Sequence, residues 1–155
     1  MIDRVKVRDA VPADLEVLVA FNLAMANETE GKALDPATLR AGMAALLGDP
    51  TRGRTFVLET DGEPAATLML TTEWSDWRNG WFWWIQNVYV RPADRGRGFY
   101  RRLHEHVCAL AAERSDVYGL RLYVENENRA ARATYRAMGM EETSYVLCEQ
   151  ATRTR

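Results

Sequence analysis

The sequence predicts a mixed α/β domain, and three observations predict it. Runs of strand-like alternation interleave with runs of helical period, so neither element type is segregated to one part of the chain. Asp61-Gly62 lies between two apolar strand-like runs, which marks a tight antiparallel hairpin. An aromatic-rich run over 81–90 passes through a glycine turn directly into an amphipathic helix. The length, 155 residues, suits one domain, expected over 1–155, with a core of its own.

Each element has its own reason. Val5-Lys-Val-Arg8 alternates and reads as a first strand. Pro12 suits a first helical turn, with Asp14 and Glu16 near the positive end, and Leu15, Leu18, Val19, Asn22 and Leu23 recur at helical spacing. That helix is expected to end near 26–27, leaving 28–34 as a polar loop. Asp35-Pro36 is an N-cap with proline behind it, and Leu39, Met43, Leu46 and Leu47 form the stripe of a second helix stopped by Gly48. Strands follow over 55–60 and 64–71, then a polar stretch over 73–80, then the strand over 81–90. A third helix is expected over about 98–114, a strand over 120–124, a fourth helix from Asn128 to about Met138 ended by Gly139, a last strand over 145–148 and a tail at 153–155. The order is β-α-α-β-β-β-α-β-α-β.

Composition excludes several classes. Apolar residues make up 47% and charged residues 27%, as in an ordinary globular chain. A net charge of −2 argues against a nucleic-acid or membrane-surface binder. Cys108 and Cys148 lack metal-type spacing, so no metal site is expected and both read as reduced thiols of a cytoplasmic protein. The N-terminus carries no signal-like apolar segment, and no run approaches a membrane span.

The chemistry concentrates at Arg95-Gly96-Arg97-Gly98. A strand, a glycine turn and a helix start converge backbone N–H groups on one point, and the helix dipole and arginines add positive charge. Such a cradle suits phosphate. Downstream, Asn128, Ala131, Tyr135, Gly139 and Met140 form a second spaced signature.

With both motifs in view, the chain resembles the GCN5-related N-acetyltransferase (GNAT) superfamily over nearly its whole length. Its pyrophosphate motif, Arg/Gln-x-x-Gly-x-Gly/Ala, falls on Arg95 to Tyr100, and its Asn-x-x-Ala-x-x-x-Tyr-x-x-x-Gly-Phe motif falls on Asn128 to Met140. The resemblance implies a central, mostly antiparallel twisted sheet with about four helices. It implies that strand 81–90 splays from 120–124 and that acetyl-CoA, the cosubstrate, lies in the cleft. Val88, Tyr89 and Val90 would then contact the pantetheine and acetyl groups through their backbone. Amides from Gly96 through Arg97, Gly98, Phe99 and Tyr100 to Arg101 would hold the pyrophosphate, with Arg95 beside them. Asn128 would bind the CoA arm, and Tyr135 would protonate the departing thiolate.

Two departures from the family pattern matter. Tyr100 stands where Gly or Ala is usual, and Gln86 stands where many members carry a glutamate base. An amide accepts no proton usefully, so Gln86 would orient substrate or water. The base then comes from Glu28, Glu30, Glu73 or Asp76, or a neutral amine attacks unaided. Those carboxylates, with Trp74, Trp77, Trp81, Trp83 and Trp84, suit a cationic amine through charge pairing and cation–π contact. The expected activity is acetyl transfer to a primary amine, a small cationic amine or a peptide, in a protein able to pair as a homodimer. The alternative is a non-catalytic acyl-CoA-binding module, which the missing glutamate motivates. Nucleic-acid binding through Arg91, Arg95, Arg97, Arg101 and Arg102 is a third reading that the acidic net charge and the downstream motif oppose.

Overall fold

The computed structural model describes residues 4–153 and contains five strands and four helices. In chain order these are β1 (Val5–Asp9), α1 (Leu15–Glu30), α2 (Pro36–Gly48), β2 (Arg54–Thr60), β3 (Glu63–Ser75), β4 (Gly80–Val90), α3 (Phe99–Ala112), β5 (Val117–Leu122) and α4 (Arg129–Ala137). Short 3₁₀ turns at Pro12–Asp14 and Pro92–Asp94 introduce α1 and the glycine turn. Contacts divide the chain into two units, Met1–Tyr123 and Val124–Arg155.

The first unit holds one sheet in the order β1-β2-β3-β4-β5, antiparallel through β4 and parallel between β4 and β5. The parallel pair follows from the connection: β5 returns only after the α3 crossover. Period-two alternation sorts side chains between the two faces. Phe56, Leu58, Ala66, Leu68, Leu70, Trp83 and Ile85 pack with Phe99, Leu103 and Val107 of α3. Val57 and Met69, on the opposite face, pack with Leu18, Val19, Met43 and Leu46 of α1 and α2. Residues such as Phe56, Leu58, Leu68, Leu103 and Val107 expose no measurable surface, each worth about 1.5–3 kcal/mol of burial. Asp35 caps α2 as its sequence position predicts, accepting from Thr38 N–H at 2.9 Å.

Four boundaries differ from the sequence expectation. The first helix runs on to Glu30 and is closed by a left-handed Gly31, so Glu28 and Glu30 lie on its last turn rather than in a loop. The polar stretch over 73–80 is no loop either: β3 continues to Ser75 and pairs up to Ser75↔Gly80 across a turn at 76–79. Strand β5 begins at Val117, three residues early, and ends at Leu122. The strand expected over 145–148 does not form; Tyr145, Val146 and Leu147 are 78%, 85% and 68% exposed and pair with no strand. Alternation alone makes no strand where backbone N–H and C=O groups have no neighbour to bond. Thr154 and Arg155 of the expected tail lie outside the described residues. No helix among the described residues is long and apolar enough to cross a membrane, and no group of three or more His, Cys, Asp or Glu there could hold a metal.

The second unit consists of α4 and its flanks. Asn128 caps the helix by accepting from Ala131 N–H at 3.1 Å. Arg132 then binds Glu142 in a fork, at 2.8 and 2.7 Å.

Candidate functional site

The site begins where β4 stops being an ordinary strand. Opposite β3, the register passes from Met69↔Gln86 to Thr67↔Tyr89, so Asn87 and Val88 together oppose one residue. This is a β-bulge, and Asn87 takes the left-handed φ of 48° that it demands. Asparagine tolerates that conformation better than most residues. On the other side, pairing with β5 ends at Ile85↔Leu122. From Gln86 onward the β5-side edge of β4 therefore has no strand partner. The bulge and the divergence leave the backbone of Val88, Tyr89 and Val90 at an open notch in the sheet, the splay that the sequence resemblance implies.

The notch leads into the glycine turn. Gly96 and Gly98 have φ of 79° and 75°, and a Cβ at either would meet nothing within 4 Å. Glycine is required there by conformation, and the space before the turn is open. Asp94 shapes the turn from beneath. It is 4% exposed, accepts from Arg91 Nε, and accepts from Arg97 Nη1 at 2.6 Å. The Arg91 hydrogen bond first, and then the charges of Arg91 and Arg97, hold its carboxyl below the usual carboxylate range. Arg97 also stacks over Phe99, 4.6 Å from its centroid. Amides at the start of α3, beside two fixed guanidinium groups, fit a pyrophosphate.

Tyr100 fits this picture despite its bulk. It is half-buried, packs against the α3-side core, and its hydroxyl lies 3.4 Å from His104 Nδ1. The side chain turns along the helix and away from the glycines. Burial pushes the His104 imidazole below its ordinary value. Arg101 is exposed on the first turn of α3.

Arg95 ties three elements together. Its Nη2 donates to Glu28 Oε2 at 2.6 Å and its Nε to the Val90 carbonyl at 3.0 Å. Its guanidinium also lies 5.6 Å from the Tyr89 ring centroid. Tyr89 in turn packs at 5.0 Å on Phe21 of α1. Burial, and then the Glu28 charge, push the Tyr89 phenol upward. The C-terminal turn of α1 is thus fixed to the end of β4.

The other expected acids are distributed differently. Glu30 pairs with Lys32 at 3.0 Å, and Glu73 pairs with Arg121 at 2.7 Å. Asp76 accepts from the Trp77 N–H at 3.0 Å and has no cation partner among the described residues. Gln86 donates to Thr71 Oγ1 at 2.9 Å, which fixes its amide on the sheet face that carries Met69 and Trp84. In the second unit, Tyr135 lies half-buried on α4, and burial pushes its phenol upward, keeping it protonated at neutral pH.

Two features escape sequence reasoning. Asp94 organises the turn, and the i, i+3 spacing on both sides (Arg91, Asp94, Arg97) was its signal. Arg78 and Arg121 stack among Phe82, Trp84 and Tyr118; only the β4–β5 register reveals that grouping.

Comparison with known proteins follows the same lines. The family model described as Acetyltransferase (GNAT) family matches residues 20–140. Among solved structures, a possible acetyltransferase from Clostridium difficile 630 is 39% identical, with 97% of this chain and 99% of that one covered and a TM-score of 0.92. A GCN5-related N-acetyltransferase from Ralstonia eutropha JMP134 is 25% identical, with 94% and 98% covered and a TM-score of 0.75. A predicted acetyltransferase from Clostridium acetobutylicum, solved with acetyl-CoA, is 20% identical over 94% and 96%, with a TM-score of 0.77, and shows the shared fold. Among curated proteins, none matches this chain. The bulged and splayed β4, the paired glycines and the extent of the family match have one reading: the chain belongs to the GNAT family of acetyltransferases and is an N-acetyltransferase.

Proposed function

We propose that the protein transfers the acetyl group of acetyl-CoA to a small primary amine, cationic in solution, by direct attack in a ternary complex. The observation that carries this is the continuity of the bulged β4 notch with the open, doubly left-handed glycine turn at the start of α3. Acetyl-CoA would supply the activated acyl group. The chain supplies the rest. Backbone N–H groups of Val88 to Val90 hold the acyl arm and polarise its carbonyl, and amides from Gly96 to Arg101 hold the pyrophosphate. The family motif assigns Asn128 to the CoA arm and the Tyr135 phenol to protonation of the leaving sulfur. Holding both reactants side by side contributes much of the rate. The family match spans residues 20–140 and so runs from the first unit into the second, which supports one functional domain.

Proton removal from the amine is assigned by elimination of paired groups. Glu28, Glu30 and Glu73 each already have a cation, whereas Asp76 has none among the described residues. Asp76, however, lies in the turn beyond Ser75↔Gly80, about 20 Å along β4 from Gln86, so attack by the neutral fraction of the amine serves this step, with Gln86 and Thr71 orienting the nucleophile. The test is free-thiol release from acetyl-CoA with polyamines, amino acids, aminoglycosides and peptides. Amine-dependent release is expected, and tight CoA binding with no release for any acceptor would overturn the proposal.

A further inference from the structure

The sheet face that carries Gln86 also carries an ordered ladder of rings and guanidinium groups. Along β4, Gln86, Trp84 and Phe82 alternate onto this face, opposite Met69, Thr71 and Glu73 of β3. On the other side, Arg121 of β5 lies opposite Trp84 and Gly119 lies opposite Phe82. Gly119 leaves room there: a Cβ would touch the Phe82 ring at 3.4 Å. The Arg121 guanidinium sits 3.5 Å from the Phe82 centroid and 5.9 Å from that of Trp84. Arg78, from the β3–β4 turn, sits 5.2 Å from Phe82 and 4.9 Å from Tyr118. Tyr123 stacks on Trp84 at 4.5 Å. Tyr118 and Tyr123 are 62% and 56% exposed, so the ladder faces solvent.

Its charges are unevenly satisfied. Arg121 uses Nη1 to bind Glu73 at 2.7 Å, one of five donors on a guanidinium. Arg78 pairs with no carboxylate among the described residues, and Asp76, in the same turn, binds the Trp77 N–H. Two guanidinium groups thus share one ring, with a single carboxylate between them. Arg78 and Arg121 already occupy the Phe82 ring, and Tyr123 already stacks on Trp84. What this arrangement lacks is an anion, and stacked, planar guanidinium groups are pre-organised to bind a carboxylate through paired N–H donors.

We propose that the ladder anchors the acceptor and selects amines that also carry a carboxylate or similar acid group. The proposal rests on the acetyl-transfer reading of the β4 notch. The acid end meets Arg78 and the free donors of Arg121, while the amine lies at Gln86 and Thr71. Two to four strand residues separate these points, so the acceptor spans roughly 7–13 Å between nitrogen and acid. That length excludes the α-amine of a free amino acid and suits a long ω-amino acid, the side-chain amine of a free basic amino acid, or a short acidic peptide.

The experiment compares ω-amino acids of increasing length, from glycine through γ-aminobutyrate and ε-aminocaproate to ω-aminocaprylate, each beside its primary amide, with the full chain and acetyl-CoA. The expected result is a kcat/KM about tenfold higher for acid than for amide at the long lengths and near parity at glycine. In Arg78→Ala and Arg78→Gln the long-chain ratio should collapse toward one through a raised KM, and Arg78→Lys should keep part of it. Equal turnover of acid and amide at every length, or diamines that surpass both, would overturn the proposal. So would an acid preference that survives in Arg78→Ala with an unchanged melting temperature. A shift in elution volume for Arg78→Glu would instead reassign the ladder to contact between copies. If no amine of either series is acetylated, the acetyl-transfer reading itself fails, a result distinct from lost selectivity.

Discussion

Asp94 receives two guanidinium groups while almost wholly buried, so its charge is both compensated and indispensable. Removing that charge takes from Arg91 and Arg97 the carboxylate they share and loosens the turn that presents the glycine amides. Asp94→Asn should cost about 2 kcal/mol at neutral pH, by denaturant titration. The sign with pH follows from the depressed carboxyl pKa. The stabilisation is complete above the ordinary carboxylate range and is lost as pH falls through the lower folded value. The gap between wild type and variant should therefore narrow as pH drops from about 7 to about 3. Tyr135 makes a chemical rather than structural prediction. Tyr135→Phe removes the proposed proton donor, so kcat should fall about a hundredfold while CoA affinity is retained, as measured by steady-state kinetics and calorimetry. Equal loss of affinity and rate would make the phenol a packing group. At this scale the sequence was informative wherever residue type dictates conformation. Gly96 and Gly98 are left-handed as the turn requires, and Asn128 has a backbone role as a cap that the motif alone did not reveal. The partners of Glu28 and Glu73 were illegible, because each pairing depends on where another element comes to lie.

Strand β4 carries the site because it is regular at one end and interrupted at the other. Its first half pairs on both sides, and its second half bulges away from β3 and is free of β5. The interruption rests on one left-handed residue, Asn87. Asn87→Gly should keep the bulge and the activity. Asn87→Val should destabilise by about 1–2 kcal/mol and depress acetyl transfer, since a β-branched residue resists that conformation. Thermal melts read beside activity would check both, and a fully active, stable valine variant would show that the bulge does not depend on this residue. The strands themselves were legible from alternation, and the hairpin at Asp61-Gly62 from its turn residues. The bulge was not, because Gln86-Asn87-Val88 carries no glycine or proline to mark it. The continuation of β3 through Glu73, Trp74 and Ser75 was hidden for a related reason: polar residues on an exposed strand end look like a loop. The structure shows Trp74 packed edge-on against Trp81 at 5.0 Å, a cross-strand pair that holds this extension.

Across the molecule, charge is balanced globally and partitioned locally. The chain carries 20 basic and 22 acidic residues, yet the glycine turn and the ring ladder each concentrate arginine. A net value near neutrality thus conceals two cationic surfaces, one suited to the phosphates of a donor and one to the acid of an acceptor. The fold class was legible from the order of elements, and the family from two spaced motifs whose glycines and helix positions are set by backbone geometry. The segment over 145–148 was misread because apolar alternation reports only a capacity to pair, and these residues pair with no strand. The most direct test of the acetyltransferase account is the stoichiometry of one reaction: acetyl-CoA, a primary amine and the purified protein, with free CoA thiol and the acetylated amine both measured. The account predicts that the two products appear in equal amounts and that both depend on the amine. Thiol release without an acetylated amine, or acetyl-CoA left intact with every amine offered, would contradict it.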